Sequence, residues 1–221
     1  MPCKYSSYIA LILLAYVIGS IPWAYIIAKA KGVDIRKEGS GNVGATNVSR
    51  VLGKKWGVIC FILDFLKGAI PVIIVRVLTS HGIVCANPDY LMILAAIATV
   101  AGHVWPVFLN FKGGKGISTS AGTIVALAPI TLILCLAIWV ILFKVFRYVS
   151  LASIIAAAIL PLVGFALAKY GYEKNSTPVI GLFAVLAILA IIKHKSNIVR
   201  LLKGTEHKFE RKKRKNQYDT A

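Results

Sequence analysis

The segment FKGGKGIST, residues 111–119, places three glycines and two lysines directly before a serine and a threonine. Glycines let backbone N–H groups approach an oxyanion closely, and lysines supply positive charge. A helix beginning near Ser118 would add the favourable field of its N-terminus. The segment therefore predicts a phosphate-binding loop. Its candidate ligand-binding residues are Lys112, Gly113, Gly114, Lys115, Gly116 and Ser118.

The spacing excludes a nucleotide-binding P-loop. In that motif a glycine stands six residues before the lysine, and a serine or threonine follows it directly. Leu109 and Gly116 occupy those positions around Lys115. A phosphate site remains, but an NTPase is not expected.

A second segment, EGSGNVGATNVSR at 38–50, matches the glycine spacing of dinucleotide-binding proteins. That motif requires a preceding strand and a βαβ unit, whereas these glycines follow an apolar segment and a charged stretch. Glycines, short polar side chains and an arginine fork suit a phosphate or carboxylate instead. The candidates are Gly39, Ser40, Gly41, Asn42, Thr46, Asn47 and Arg50.

A third segment, KHKSNIVRLLKGTEHK at 193–208, continues the pattern. His194 and Asn197 are three residues apart and share a helical face, which Arg200 extends. A basic amphipathic helix on anionic lipid would explain the lysines but not these side chains or Glu206. The RKKRK run at 211–215 is expected to be solvated or lipid-facing rather than to bind nucleic acid.

Three polar side chains fall inside apolar segments. His103 is a substrate-binding candidate, although a lone histidine there could simply bond to a carbonyl. Asp64 and Lys67 are three apart on one helical face and can pair, since an unpaired charge at mid-bilayer costs about 2.5–3.5 kcal/mol. Structural pairing and support of an anionic site both remain open.

Composition places these segments in a membrane. Apolar residues make up 58% of the 221 residues, charged residues 15%, and the mean hydropathy is +0.77. A soluble domain carries about 25% charged residues. The four cysteines, Cys3, Cys60, Cys85 and Cys135, lack metal-binding spacing, so no metal site is expected from them.

Apolar runs of roughly membrane-spanning length predict an all-α, polytopic fold. The predicted helices are 8–30, 57–79, 91–110, 117–143, 149–169 and 178–193. The first is read as a retained anchor because its apolar run is too long for a signal peptide. Lysine and arginine concentrate in loop 31–56, loop 111–116 and tail 194–221, which predicts an outside N-terminus and a cytoplasmic C-terminus.

This orientation conflicts with the number of predicted helices. The chain must cross an even number of times between loop 111–116 and the tail, yet three apolar segments lie there. One of them must therefore be re-entrant, non-spanning or split. Pro129 and Pro161 are the candidate breaks, because proline removes a backbone donor.

Four segments together resemble one family, the bacterial acyl-phosphate:glycerol-3-phosphate acyltransferases. They are GSIPWAYIIAK at 19–29, GSGNVGATNVSRVLGKKWG at 39–57, GHVWPVFLNFKGGKGIST at 102–119 and HKSNIVRLLKGTE at 194–206. The resemblance covers almost the whole chain. One departure is Lys195, where the family usually has arginine after the histidine.

The resemblance implies a single domain over 1–221 in the bacterial plasma membrane, with five to seven transmembrane helices, active-site loops facing the cytoplasm and a basic cytoplasmic tail, 194–221. It implies acyl transfer from acyl phosphate to the sn-1 hydroxyl of glycerol 3-phosphate, giving lysophosphatidate and phosphate. Acyl-CoA and acyl carrier protein are not direct donors, and no cofactor is needed. The expected partners are these two substrates and membrane lipid, without nucleic acid; the oligomeric state stays open.

The resemblance also implies roles for individual residues. Ser40 and Arg50 are expected to be needed for activity, 113–116 to bind glycerol 3-phosphate, and His194 and Asn197 to assist. The proton acceptor could be His194, His103 or a substrate phosphate oxygen. The sequence favours the phosphate, since no histidine stands beside an obvious orienting carboxylate.

A membrane transporter of an organic phosphate is the alternative. It would share the basic loops and the apolar helices, but it would place polar residues along a path through the membrane. A metal-dependent phosphotransferase is disfavoured because Asp34, Glu38 and Asp64 form no obvious cluster.

Overall fold

A computed structural model describes residues 5–84 and 87–209. Within them every regular element is helical. The α-helices are α1 (Tyr5–Ser20), α2 (Trp23–Lys29), α3 (Ala45–Leu52), α4 (Lys54–Ser80), α5 (Pro88–Val104), α6 (Ile117–Leu127), α7 (Pro129–Phe146), α8 (Val149–Lys169), α9 (Thr177–Lys193) and α10 (Lys195–Leu202). Cys3, Cys85 and the run at 211–215 lie outside the described residues.

The predicted all-α membrane fold is confirmed. Five helical segments are long and apolar enough to cross a membrane, and the bent pair α9 and α10 provides a sixth. The predicted helices at 57–79, 149–169 and 178–193 correspond closely to α4, α8 and α9.

The prediction of one helix over 117–143 was wrong, because the chain reverses at Ala128 between α6 and α7. The backbone N–H of Ile130 at the start of α7 donates to Glu173 at 2.8 Å. Beyond the other end of α7, the Phe209 N–H donates to the Arg147 carbonyl at 3.0 Å. The two ends therefore lie at opposite faces of the bundle.

Because the predicted helix 117–143 is two helices, four apolar helices, α6 to α9, lie between loop 111–116 and the tail. Four is an even number, so the predicted orientation no longer conflicts with the number of helices. Pro129 opens α7, a position where its missing N–H costs nothing, whereas Pro161 lies inside the continuous α8. With 11 residues, α6 is shorter than each of the helical segments that are long enough to cross a membrane. It is about 16 Å long at 1.5 Å per residue, about half the thickness of the hydrocarbon core of a bilayer.

A carboxylate holds the start of α7 against the turn between α8 and α9. Glu173 accepts the N–H groups of Ile130 at 2.8 Å and Thr131 at 3.0 Å, and also the Thr131 hydroxyl. The Asn175 side chain donates to the carbonyl of Gly164 at 3.1 Å. Glu173 thereby satisfies N–H groups that a helix leaves free in its first turn.

We expect Glu173→Ala to lower the free energy of unfolding by about 2 kcal/mol, since N-terminal caps contribute about 0.5–2 kcal/mol and bonds to charged groups somewhat more. Thermal unfolding in detergent measures the effect. Lys174→Ala, at the exposed neighbouring position, is the control. Equal melting temperatures for the two variants would contradict this assignment.

Glycines bring the helices of the site into close contact. A Cβ at Gly19 would lie 2.1 Å from the Thr99 carbonyl oxygen, which fixes α1 on α5. A Cβ at Gly68 would lie 2.2 Å from the Thr119 carbonyl oxygen, which fixes α4 on α6. Small residues at such contacts are typical of membrane helix packing.

Candidate active site

The three basic segments meet around one cavity of about 510 Å³. This volume falls within the usual range of ligand pockets, about 300–1,000 Å³. Residues far apart in sequence line it together. The predicted site residues in its wall are Ser40, Asn42, Thr46, Asn47, Arg50, His103, Lys115, Gly116, Ser118, His194 and Asn197.

Five predicted site residues do not line this cavity: Gly39, Gly41, Lys112, Gly113 and Gly114. The Gly113 N–H donates to the Val104 carbonyl at 3.2 Å and the Gly114 N–H to the His103 carbonyl at 3.1 Å. The prediction that these amides are exposed to a ligand was therefore wrong. Both glycines serve close packing instead, because a Cβ at Gly113 would lie 2.1 Å from the His103 carbonyl oxygen. The side chain of Lys112 is exposed.

The first basic loop is organised by Asn47, at the start of α3. Its Oδ1 accepts the Ser40 N–H at 2.8 Å, and its Nδ2 donates to the carbonyls of Ile35 at 3.1 Å and Glu38 at 3.0 Å. The Asn47 amide is thus committed to holding the loop, and Ser40 is placed at the cavity wall. A Cβ at Gly39, whose φ is +60°, would also lie 2.3 Å from Asn47 Oδ1.

A hydrogen-bonded chain links the second and third basic segments. Lys115 Nζ donates to Asn197 Oδ1. Asn197 Nδ2 donates to Glu206 Oε1 at 2.7 Å, and the Ser150 hydroxyl donates to the same oxygen at 2.9 Å. Arg200 Nε donates to Glu206 Oε2 at 2.7 Å. The first part of the basic tail, 194–206, therefore belongs to the candidate site.

This polar end of the cavity carries excess positive charge. Arg50, Lys115 and Arg200 all interact electrostatically with the single carboxylate of Glu206. The pKa of Lys115 is lowered to about 8, mainly by burial and to a lesser degree by Arg200 and Arg50, while Glu206 acts to raise it. Burial would raise the pKa of Glu206, but hydrogen bonds from Asn197, Arg200 and Ser150 hold it below its ordinary value. An incoming anion would offset the repulsion among the cations.

His194 has a defined hydrogen-bonding state at the bend between α9 and α10. Its Nδ1 lies 2.7 Å from the Ala190 carbonyl oxygen, so Nδ1 carries the hydrogen and donates. In the neutral ring, Nε2 then has the free lone pair. His194 lines the cavity although its side chain is buried.

The other end of the cavity is apolar. Its wall includes Leu132, Cys135, Leu136, Trp139 and Phe143 of α7, with Ala156, Ala157 and Leu160 of α8 and Leu186 of α9. One cavity thus joins a cationic, hydrogen-bonding end to an apolar end.

The sequence-based search missed several polar residues of the wall: Ser49, Lys54, Ser120 and Ser150. Ser49 and Lys54 lie beside Arg50 and could have been included through that motif. Ser150 lies at the start of an apolar segment, where a serine by itself does not indicate a binding site. Among the described residues, no three acidic, histidine or cysteine side chains gather in a way that could hold a metal ion.

Comparison with known proteins identifies the family. A model of the family described as glycerol-3-phosphate acyltransferase matches residues 9–204. A glycerol-3-phosphate acyltransferase of Aquifex aeolicus is 46% identical over 199 residues, covering 90% of this chain and 97% of the relative.

Two crystal structures of PlsY (YgiH), an integral membrane glycerol 3-phosphate acyltransferase, have the same fold. The glycerol 3-phosphate form is 45% identical with a TM-score of 0.81, and the lysophosphatidic acid form is 44% identical with a TM-score of 0.77. Both alignments cover 92% of this chain and 96% of the solved chain. The chain belongs to the glycerol-3-phosphate acyltransferase family.

Proposed function

We propose that this enzyme transfers an acyl group from acyl phosphate to the sn-1 hydroxyl of glycerol 3-phosphate, giving lysophosphatidate and phosphate. One observation carries the proposal: a single cavity joins the cationic end at Arg50 and Lys115 to an apolar end of α7, α8 and α9. The donor has a long apolar chain and a phosphate, and the acceptor carries a phosphate. This cavity offers a matching surface to each part.

The cationic end suits two phosphorylated substrates. Bringing two anions together is unfavourable unless the site supplies compensating positive charge, and preorganised cations do so without reorganisation. Arg50 and Lys115 lie in the wall and provide this charge. Ser40 acts in this account as a hydrogen-bond donor to phosphate or to the oxyanion, rather than as a nucleophile.

The chemical step needs positioning more than acid catalysis. The hydroxyl oxygen of glycerol 3-phosphate attacks the acyl carbonyl carbon, the new ester C–O bond forms, and the C–O bond to phosphate breaks. Phosphate leaves with the bonding electron pair, and the hydroxyl proton passes to an acceptor. Because phosphate is a good leaving group, most of the rate gain comes from orientation and oxyanion stabilisation.

Two proton acceptors fit the site: Nε2 of His194 and a substrate phosphate oxygen, whose second pKa is about 6. A general base typically contributes about 10²–10⁴-fold. We expect His194→Asn to lower kcat less than about tenfold, because the phosphate serves as the acceptor. Single-turnover kinetics with palmitoyl phosphate measure this. A loss of about a hundredfold or more would assign the proton to His194.

Activity should depend on the charge of Lys115. Since burial lowers the pKa of this amine to about 8, the free enzyme loses a phosphate-binding charge as the pH rises through that value. We expect kcat/KM for glycerol 3-phosphate to fall about tenfold per pH unit on the alkaline side. Lys115→Arg should remove this decline, because arginine stays charged. An unchanged alkaline decline in that variant would contradict the assignment.

The identity of the acyl donor is tested with labelled glycerol 3-phosphate and purified enzyme. Palmitoyl phosphate, palmitoyl-CoA and palmitoyl-acyl carrier protein are supplied separately. Lysophosphatidate formed only with palmitoyl phosphate supports the proposal. Product formed only with one of the other donors would overturn the choice of donor while keeping the acyltransfer.

The transporter alternative is tested in vesicles. Many of the polar wall groups come from α3, the 111–116 loop and 194–206, whereas the wall formed by α7 and α9 is largely apolar. We therefore expect no accumulation of labelled glycerol 3-phosphate in proteoliposomes without an acyl donor. Uptake of labelled glycerol 3-phosphate above that of vesicles without the protein would favour the transporter.

We further propose that the chain works as one domain in the bacterial plasma membrane, with these loops at the cytoplasmic face. Convergence of the basic segments on one cavity and the excess of lysine and arginine in them support this orientation. This orientation is tested with variants that carry a single cysteine in place of exposed Lys55 or exposed His81. Intact cells that contain each variant are treated with a membrane-impermeant thiol reagent. Labelling at 81 but not at 55 is expected, and the reverse would invert the topology.

A further inference from the structure

A buried ion pair lies behind the phosphate-binding end of the cavity. Lys67 Nζ and Asp64 Oδ1 of α4 are 2.8 Å apart, with side-chain exposures of 4% and 2%. Desolvation offsets much of the attraction in such pairs, so a buried pair is weak evidence for stability by itself. Its contacts point to a different role.

Each member of the pair contacts a different part of the fold. Lys67 Nζ donates to the Ile21 carbonyl at 2.7 Å, where the first apolar segment breaks between α1 and α2. Asp64 Oδ1 lies 3.5 Å from His103 Nδ1 on α5. The pair therefore connects the broken first segment to the end of α5.

His103 extends this connection to the phosphate loop. Its carbonyl accepts the Gly114 N–H at 3.1 Å. Its ring abuts the same residue, because a Cβ at Gly114 would lie 2.2 Å from His103 Nε2. The ring is thus enclosed between Asp64 on one side and the backbone just before Lys115 on the other. This placement leaves Nε2 facing the backbone of the loop, which favours a positioning role for His103 over that of proton acceptor.

We propose that Asp64 and Lys67 are positioning residues for Lys115. They fix the ring of His103, the ring sets the place of the 113–115 backbone, and that backbone aims the Lys115 ammonium at the substrate phosphate. Pairing with Lys67 also allows a carboxylate to stand behind an anion site without repelling the anion. This inference rests on the proposed function and adds residues that the three basic segments do not contain.

The test removes both charges together. Asp64→Asn/Lys67→Met leaves no unpaired buried charge, so the protein should fold. We expect KM for glycerol 3-phosphate to rise at least tenfold while kcat falls less than threefold. Hydrogen exchange in 105–116 should become at least tenfold faster, because its N–H bonds to the end of α5 open more often, while α8 and α9 keep wild-type rates.

A second charged pair provides the matched control. Asp34 and Arg36 are also 2.8 Å apart, but they are partly exposed in the first loop and do not line the cavity. Asp34→Asn/Arg36→Gln should leave kcat, KM and exchange in 105–116 within twofold of wild type.

Three results would overturn the proposal. A wild-type KM with wild-type exchange in 105–116 would show that the pair does not position the loop. Faster exchange throughout the bundle, with KM unchanged, would make the pair merely structural. A large fall in kcat with unchanged exchange would place Asp64 in the chemical step. The exchange measurement needs no substrate, so it is independent of whether wild type transfers acyl groups.

Discussion

Arg50→Ala is expected to lower kcat/KM about a thousandfold while the protein still inserts and folds. Removing one preorganised donor to a developing oxyanion costs about 10²–10³-fold, and Arg50 also offsets the charge of two phosphates. Its side chain is half-buried in the cavity wall, on the last turn of α3. The reaction is followed as lysophosphatidate formed from palmitoyl phosphate and glycerol 3-phosphate in detergent.

Two further variants show what the arginine contributes. Arg50→Lys keeps the charge but loses the planar fork, so we expect a loss of about 10–100-fold. Arg36→Ala removes a more exposed arginine of the same loop, which pairs with Asp34 and lies outside the cavity. It should stay within threefold of wild type. Equal losses for Arg36 and Arg50 would mean that general loop charge matters, and not the cavity.

Lys115→Met should give the second large effect, a loss of about a hundredfold in kcat/KM for glycerol 3-phosphate, because a partly buried charge in the cavity wall that would face the substrate phosphate disappears. Methionine retains the apolar length of the lysine stem. Asn197 also loses the donor to its Oδ1, which loosens the link from Lys115 to Glu206. Initial rates over a range of glycerol 3-phosphate concentrations separate KM from kcat.

Lys112→Met is the matched control in the same loop. Lys112 is exposed and does not line the cavity, so we expect less than a threefold change. If both lysines proved equally necessary, the loop would act as a diffuse positive surface, and the specific placement of Lys115 would lose its support.

Much of the polar wall of the candidate cavity could be predicted from the sequence, because its residues are unusual where they occur. Glycines, lysines and asparagines at the ends of apolar runs stand out from their surroundings, so the parts of the wall at Arg50, Lys115 and Asn197 could be found without a structure. The membrane class followed from composition alone, since 58% apolar residues exceed the content of a soluble domain.

Other features depend on contacts that no local pattern contains. Whether the Gly114 N–H faces a ligand or the His103 carbonyl depends on the close approach of two segments. The contact of His103 with Asp64 joins two apolar helices, and it supplies the carboxylate neighbour that the sequence did not show. Proline is tolerated inside membrane helices, so the pattern could not choose between Pro129 and Pro161 as the break.

The most direct test of the central claim is phosphate release from palmitoyl phosphate by purified protein, without added metal or ATP. We predict release that requires glycerol 3-phosphate and equals the lysophosphatidate formed, mole for mole. No release from folded protein, or release at the same rate without glycerol 3-phosphate, would contradict acyl transfer in this cavity.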